Sequence, residues 1–322
     1  MKAIVQDRYG SADVLRLADI PAPTAGAGEI LVRVHAAGVD QGVWHVMAGL
    51  PLLGRAAFGL RRPKIPIPGM DLAGRVEAVG AGVTRFRPGD EVFGSYRGAY
   101  AEYACGPQDR FVAKPAGVTH EQAAAVPISA VTALQGLRDA GRVRPGQRLL
   151  VIGAAGGVGS YAVQLGKVFG AHVTGVCSGG KVDLVRSIGA DEVIDYTRAD
   201  IGDGRQRYDV ILDLAGNRRL GQLRRALAPR GTLVIAGGEG GGRWLGGIDR
   251  QLRAQLIAPF TGQRMRGLLA LQRPDDLGAV RDLLESGELT PVLDRTFPLA
   301  EVPDAIRYLR AGQARGKVVI TI

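Results

Sequence analysis

Cysteine is nearly missing. Only Cys105 and Cys177 occur in 322 residues, and they form no CxxC pair. Two isolated thiols give neither a disulfide framework nor a thiolate-held zinc, and they fit a reducing compartment. Aromatic residues make up 5% of the chain and do not interleave with basic clusters. The formal charge of +10 is therefore scattered Arg and Lys, which suits solubility and attraction of anionic ligands rather than a nucleic-acid surface. Long apolar runs are also lacking. The most apolar stretch, Leu149 to Val163, is broken by glycines and soon followed by Gln164 and Lys167; a membrane span needs about 20 apolar residues. The opening "MKAIVQDRYG" is a strand-like alternation with no signal-peptide profile. A cytoplasmic protein is expected, with no nucleic-acid or membrane partner.

What the chain does have is glycine, 48 residues of it, and enough length for two domains. The first third reads as short strands: "EILVRVHAAGV", "GRVEAVG", "DEVFG", "AYAEYAC" and "RFVAKP", with a tight turn at Pro88-Gly89-Asp90. Helices are scarce there, so a β-rich, barrel-like domain is expected. Near Glu121 the pattern changes to helical periodicity in "HEQAAAVPISAVTALQGLRDA". Strands and helices then alternate from "RLLVIG" to "TLVIAGG", with a further strand in "RMRGLLAL". That alternation predicts a doubly wound parallel sheet, an α/β fold of the Rossmann kind. The tail adds two helices and two strands, which the pattern alone assigns to neither domain.

Between the first two strands of the alternating part lies "VIGAAGGVGS". Ala154-x-Gly156-x-x-Gly159 is a G-x-G-x-x-G fingerprint with alanine in its first place. Gly156 lets backbone approach a pyrophosphate, Gly159 lets helix and strand pack closely, and Gly157 and Val158 open the helix whose N–H groups face the anion. Without a ligand the same loop would be a tight strand-to-helix turn. A site for NAD places Asp or Glu at the end of the second strand, on the ribose hydroxyls. Here that end reads Cys177-Ser178-Gly179-Gly180-Lys181. With no carboxylate to repel a 2′-phosphate, the Ser178 hydroxyl and the Lys181 ammonium can hold one. NADPH is the expected cofactor.

Over essentially its whole length the chain resembles the medium-chain dehydrogenase/reductase superfamily. The markers are "AAGVD", "IPGMDLAG", "RPGDEVFG", "GAYAEY", "EQAAAVPISAVTAL", "AAGGVG", "SIGADEVIDY" and "ARGKVVI". The resemblance implies a GroES-like β-barrel domain at 1–122, a Rossmann NADP-binding domain at 123–271, and a segment at 272–322 returning to the first. It also implies a homodimer. Zinc alcohol dehydrogenases of this superfamily carry ligands where this chain has Asp40, Met70 and Ile128, and they carry a four-cysteine lobe that is missing here. One thioether and one carboxylate make no tetrahedral N/S site. The chain thus looks like the zinc-independent quinone oxidoreductase branch, reducing quinones or α,β-unsaturated carbonyls.

By that resemblance Asp40 and Thr132 lie near the nicotinamide, and Tyr196 lies near the adenosine phosphate. Asn217 and Gly237 sit at the carboxyl ends of successive strands, where ligands of open α/β sheets bind. His45, in "GVDQGVWHVM", stands near a position where related reductases often have tyrosine. It is the candidate proton donor, with a water as the alternative. Trp44, Trp244 and Phe260 are candidate walls for a flat substrate. Two other readings stay open at this point: an alcohol or aldehyde dehydrogenase, and a non-catalytic protein that binds NADPH.

Overall fold

In the computed structural model, which describes residues 1–201, 206–238 and 242–322, the N-terminal alternation becomes β1 (Lys2–Val5), paired antiparallel with β2 (Arg16–Asp19). The eleven-residue β3 (Glu29–Val39) buries Ile30, Val32 and Val34 on one face while Arg33 points to solvent, the period of two that makes a half-covered strand. Then come α1 (Gln41–Ala48), the single-turn α2 (Arg55–Phe58), β4 (Asp71–Val79), β5 (Glu91–Ser95), β6 (Tyr103–Pro107) and β7 (Phe111–Ala113).

Helix α1 was not announced by the strand-rich first third. It forms because Asp40 caps it, its Oδ1 accepting from Val43 N at 3.1 Å. Gly49, in the left-handed conformation at φ 62°, ends it. The helical stretch after Glu121 is not one helix. α3 (His120–Ala124) ends, and α4 (Pro127–Gln135) begins with a proline at its first position, the one place where the missing N–H costs nothing. A wider, π-helical turn over Gly136–Gly141 continues α4.

Six strands of the alternating part form one parallel sheet among the described residues. They are β8 (Arg148–Ile152), β9 (His172–Cys177), β10 (Glu192–Asp195), β11 (Tyr208–Asp213), β12 (Leu227–Ile235) and β13 (Arg264–Gly267), interleaved with α5 (Gly157–Val168), α6 (Val182–Ser187), α7 (Leu220–Ala226) and α8 (Ile248–Ile257). The order is β10-β9-β8-β11-β12-β13, the doubly wound arrangement whose direction reverses beside β8. Leu149, Leu150, Val151, Ile211, Leu212, Leu233 and Val234 are fully buried in it, the near-continuous apolar runs of strands covered on both faces. Of the glycine-rich stretch after β12, residues 239–241 lie outside the described residues.

The tail supplies α9 (Pro274–Glu285), β14 (Leu293–Pro298), α10 (Val302–Arg310) and β15 (Lys317–Thr321). β15 pairs antiparallel with β3, and the second sheet runs β14-β15-β3-β4-β5-β7, with β6 on β3 as well. The chain divides into two compact units, Met1–Val131 with Gln272–Ile322, and Thr132–Leu271. The first boundary falls inside α4, later than the 122/123 junction expected from the sequence. The cause is packing: α3 lies on β3 and β4, where a Cβ on Gly38 would stand 2.5 Å from Ala124 O. Ile128 N also donates to the Asp71 carboxylate on β4 at 3.0 Å.

Candidate functional site

In the nucleotide-type unit the loop from β8 to α5 turns at Gly153, whose φ of 88° favours glycine. Gly153 and Ala154 both donate their N–H to Val176 O on β9, at 3.1 and 3.0 Å. Ala154 is fully buried there, so it is not a ligand-facing residue: its donor is spent inside the fold. Gly156 is the N-cap of α5 and brings no side chain to cover the helix end. The first-turn N–H groups of Gly157, Val158 and Gly159 therefore lack intrahelical acceptors, which makes an anion seat of this terminus. Gly159 has no room for a side chain, since a Cβ would stand 2.0 Å from Gly153 O. This cradle fits a dinucleotide pyrophosphate.

At the next strand end, Ser178–Lys181 form a tight turn, Lys181 N donating to Ser178 O at 2.9 Å. Tyr196 follows β10 with 54% of its surface exposed. Its N–H bonds Cys177 O at 3.1 Å, so Ser178, Lys181 and Tyr196 come together at one corner of the sheet. The expectation that no carboxylate borders this corner needs correcting. Asp195 is the register partner of Cys177, and its carboxylate accepts from Thr197 N (3.0 Å) and Thr197 Oγ1 (2.7 Å). Those bonds from Thr197, then the charge of Arg198, hold its carboxyl below the usual range. Burial, then the charge of Asp195, pushes the Cys177 thiol up. Sequence reasoning searched the end of the second strand; the acid stands on its neighbour.

Further along, Asn217 lies exposed after β11 and Gly237 follows β12. A Cβ on Gly237 would stand 2.1 Å from Leu214 O, so the two strand-end loops touch backbone to backbone. Thr132 is half-buried on α4. Trp244 and Phe260 are 74% and 89% exposed; among the described residues of their own unit nothing gathers them into a pocket wall.

The barrel-containing unit holds Asp40, Trp44 and His45 on α1. His45 Nδ1 lies 3.2 Å from Leu50 O. A carbonyl can only accept, so in this contact Nδ1 carries a proton. The His45 ring meets Trp44 edge-on at 4.9 Å, and the Arg310 guanidinium covers Trp44 at 3.7 Å from the ring centroid. One face of the tryptophan is thereby taken by the protein itself.

Beneath α1 lies a buried polar group that sequence reasoning missed. Asp71, Lys317 and Ser129 are 0%, 1% and 1% exposed. Lys317 Nζ donates to Ser129 Oγ at 2.9 Å, and both Asp71 oxygens accept from Ile128 N. Burial pushes the Asp71 carboxyl up to about 8, against the pull of the Lys317 charge, with Asp40 pushing the same way as burial. Asp40 uses one oxygen to cap α1, Met70 offers a thioether, and Ile128 offers only alkyl carbon beside its N–H bonds. This donor set does not fit a zinc ion. Among the described residues no three His, Cys, Asp or Glu side chains converge as metal ligands, and no helix is long and apolar enough to cross a membrane.

Residues 26–116 match the family described as alcohol dehydrogenase GroES-like domain, and residues 188–320 match that described as zinc-binding dehydrogenase. The chain is 32% identical over 357 aligned positions to the mitochondrial NAD(P)H oxidoreductase RTN4IP1 of Mus musculus, covering 100% of this chain and 89% of that one. It is 32% identical over 336 positions to 2-methylene-furan-3-one reductase of Solanum lycopersicum, covering 99% and 79%. The solved quinone oxidoreductase from Coxiella burnetii superposes with a TM-score of 0.88 at 28% identity, over 100% of this chain and 99% of that one. The chain belongs to the medium-chain dehydrogenase/reductase superfamily, in its zinc-independent quinone oxidoreductase branch, and is an NAD(P)H oxidoreductase of that family.

Proposed function

We propose that the protein reduces conjugated acceptors, quinones or α,β-unsaturated carbonyls, with NADPH as hydride donor. The observation that carries this reading is the donor set at residues 40, 70 and 128. A capping carboxylate, a thioether and an alkyl group supply no Lewis acid for the alkoxide that alcohol oxidation must stabilise. A conjugated acceptor needs less, because the incoming charge spreads to an oxygen that one hydrogen bond can hold. When bound, NADPH supplies the hydride. The chain's own task is to hold and orient: the Gly157–Gly159 N–H groups take the pyrophosphate, Ser178 and Lys181 the 2′-phosphate, and Tyr196 the adenosine side. Thr132, Asn217 and Gly237 line the nicotinamide. His45 is the proton donor to the reduced acceptor.

The test is an NADPH-oxidation screen over 1,2-naphthoquinone, 9,10-phenanthrenequinone, short enals and enones, run beside NADH. Turnover with NADPH on at least one acceptor is the expected result. Lys181→Ala should weaken NADPH by about 1.5–3 kcal/mol, the usual worth of a charged hydrogen bond, and barely touch NADH. Tight NADPH binding without oxidation by any acceptor would make the protein a non-catalytic binder. One zinc per chain with alcohol oxidation would make it an alcohol dehydrogenase.

A further inference from the structure

The carboxylate beside the 2′-phosphate corner has a role of its own. Its place follows from the sheet: β9 and β10 are parallel neighbours, and their ends coincide at Cys177 and Asp195. A Cβ on Gly179 would stand 2.7 Å from Asp195 Oδ2, so the carboxylate lies against this turn. This is the same turn, Ser178 to Lys181, whose groups would receive a ribose 2′-phosphate. A phosphate of about −2 charge and a carboxylate then repel each other across this turn. A ribose 2′-hydroxyl is not repelled, since it can donate to the carboxylate.

We infer that Asp195 is a specificity-determining residue: from the neighbouring strand it restrains the preference for NADPH and admits NADH to the same corner. The inference rests on the proposal that this corner binds the adenosine ribose. Asp195→Asn keeps one oxygen to accept from Thr197 and replaces the other with an uncharged amide, removing the charge. Asp195→Ser, with a shorter acceptor, guards against a local packing artefact.

The experiment is a nicotinamide-fluorescence titration of the wild type, Lys181→Ala, Asp195→Asn and Asp195→Ser with NADPH and with NADH. Both Asp195 variants should bind NADPH about tenfold more tightly, and Asp195→Ser, too short to reach the 2′-hydroxyl, should bind NADH more weakly than the wild type. The gain should shrink in high salt, because exposed charges are screened. If Lys181→Ala weakens NADPH alone but the Asp195 variants leave the NADPH/NADH ratio unchanged, Asp195 merely braces the turn, and the inference fails while the corner stands. If Lys181→Ala also fails to separate the two cofactors, the corner is misassigned and the inference falls with it.

Discussion

At the scale of one residue, a methyl group is enough to close the dinucleotide cradle. A Cβ on Gly159 would stand 2.0 Å from Gly153 O and 2.8 Å from Ala154 Cα, both of them backbone. Neither can swing aside as a side chain would, so α5 must move off β8. Gly159→Ala should lose roughly 1–3 kcal/mol of stability, the usual cost of overpacking, and most of its NADPH affinity. Gly221→Ala on α7 is the control: nothing lies within 4 Å of its would-be Cβ, and alanine favours helix over glycine. Thermal unfolding and fluorescence titration of the two variants check this; equal behaviour would refute it. The glycine roles were legible because strand, loop and helix in "VIGAAGGVGS" admit few geometries. Ala154 misled, since its place in the motif says nothing of where its own N–H is spent. Asp195 was hidden because lateral register between parallel strands is not written in either strand.

At the scale of elements, Asp71 on β4, Lys317 on β15 and Ser129 on α4 bring three distant segments into one buried polar group. Asp71 is raised to about 8 by burial, against Lys317, while an unfolded aspartate titrates near about 3.9. Between those values the folded state binds more protons than the unfolded one. The carboxyl's contribution is therefore complete below the unfolded value and is lost as pH rises through about 8. Asp71→Asn cannot titrate, so the melting temperature of the wild type should fall relative to this variant between about pH 4 and 8. A wild-type advantage that grows with pH would show an ionised Asp71 paired with Lys317 instead. Most strands were legible from their period of two, and β3 and β9 occupy the expected residues. Helix α1 was not, because "QGVWHVMA" is apolar around most of its circumference and depends on its cap. The break before Pro127 was not either, since the alanine-rich run on both sides reads as one helix.

At the scale of the whole molecule, the two-unit architecture followed from a change of sequence period, strand-rich first and alternating later. The exact junction did not, because it depends on which sheet α3 and the start of α4 pack against. Edge strand β13 and its surroundings carry Leu256, Phe260 and Leu269 at 73%, 89% and 85% exposure. Exposed apolar side chains beside an unpaired strand edge favour a partner strand. We propose that a second copy of this chain covers them, extending the sheet. Sedimentation equilibrium should find a dimer for the wild type and a monomer for the Phe260→Lys, Leu269→Lys double variant; a monomeric wild type would overturn the proposal.

The placement of β15 between β14 and β3 has a consequence for how the protein is made. The barrel-type sheet has β4 on one edge of β3 and β6 along Glu29–Arg33 of the other, but Ala36–Val39 wait for β15 while the whole nucleotide-type unit is synthesised. It can close only when β15 arrives to pair with β3. Translation order and folding order thus run against each other, and the middle of the chain is free to mature before its beginning.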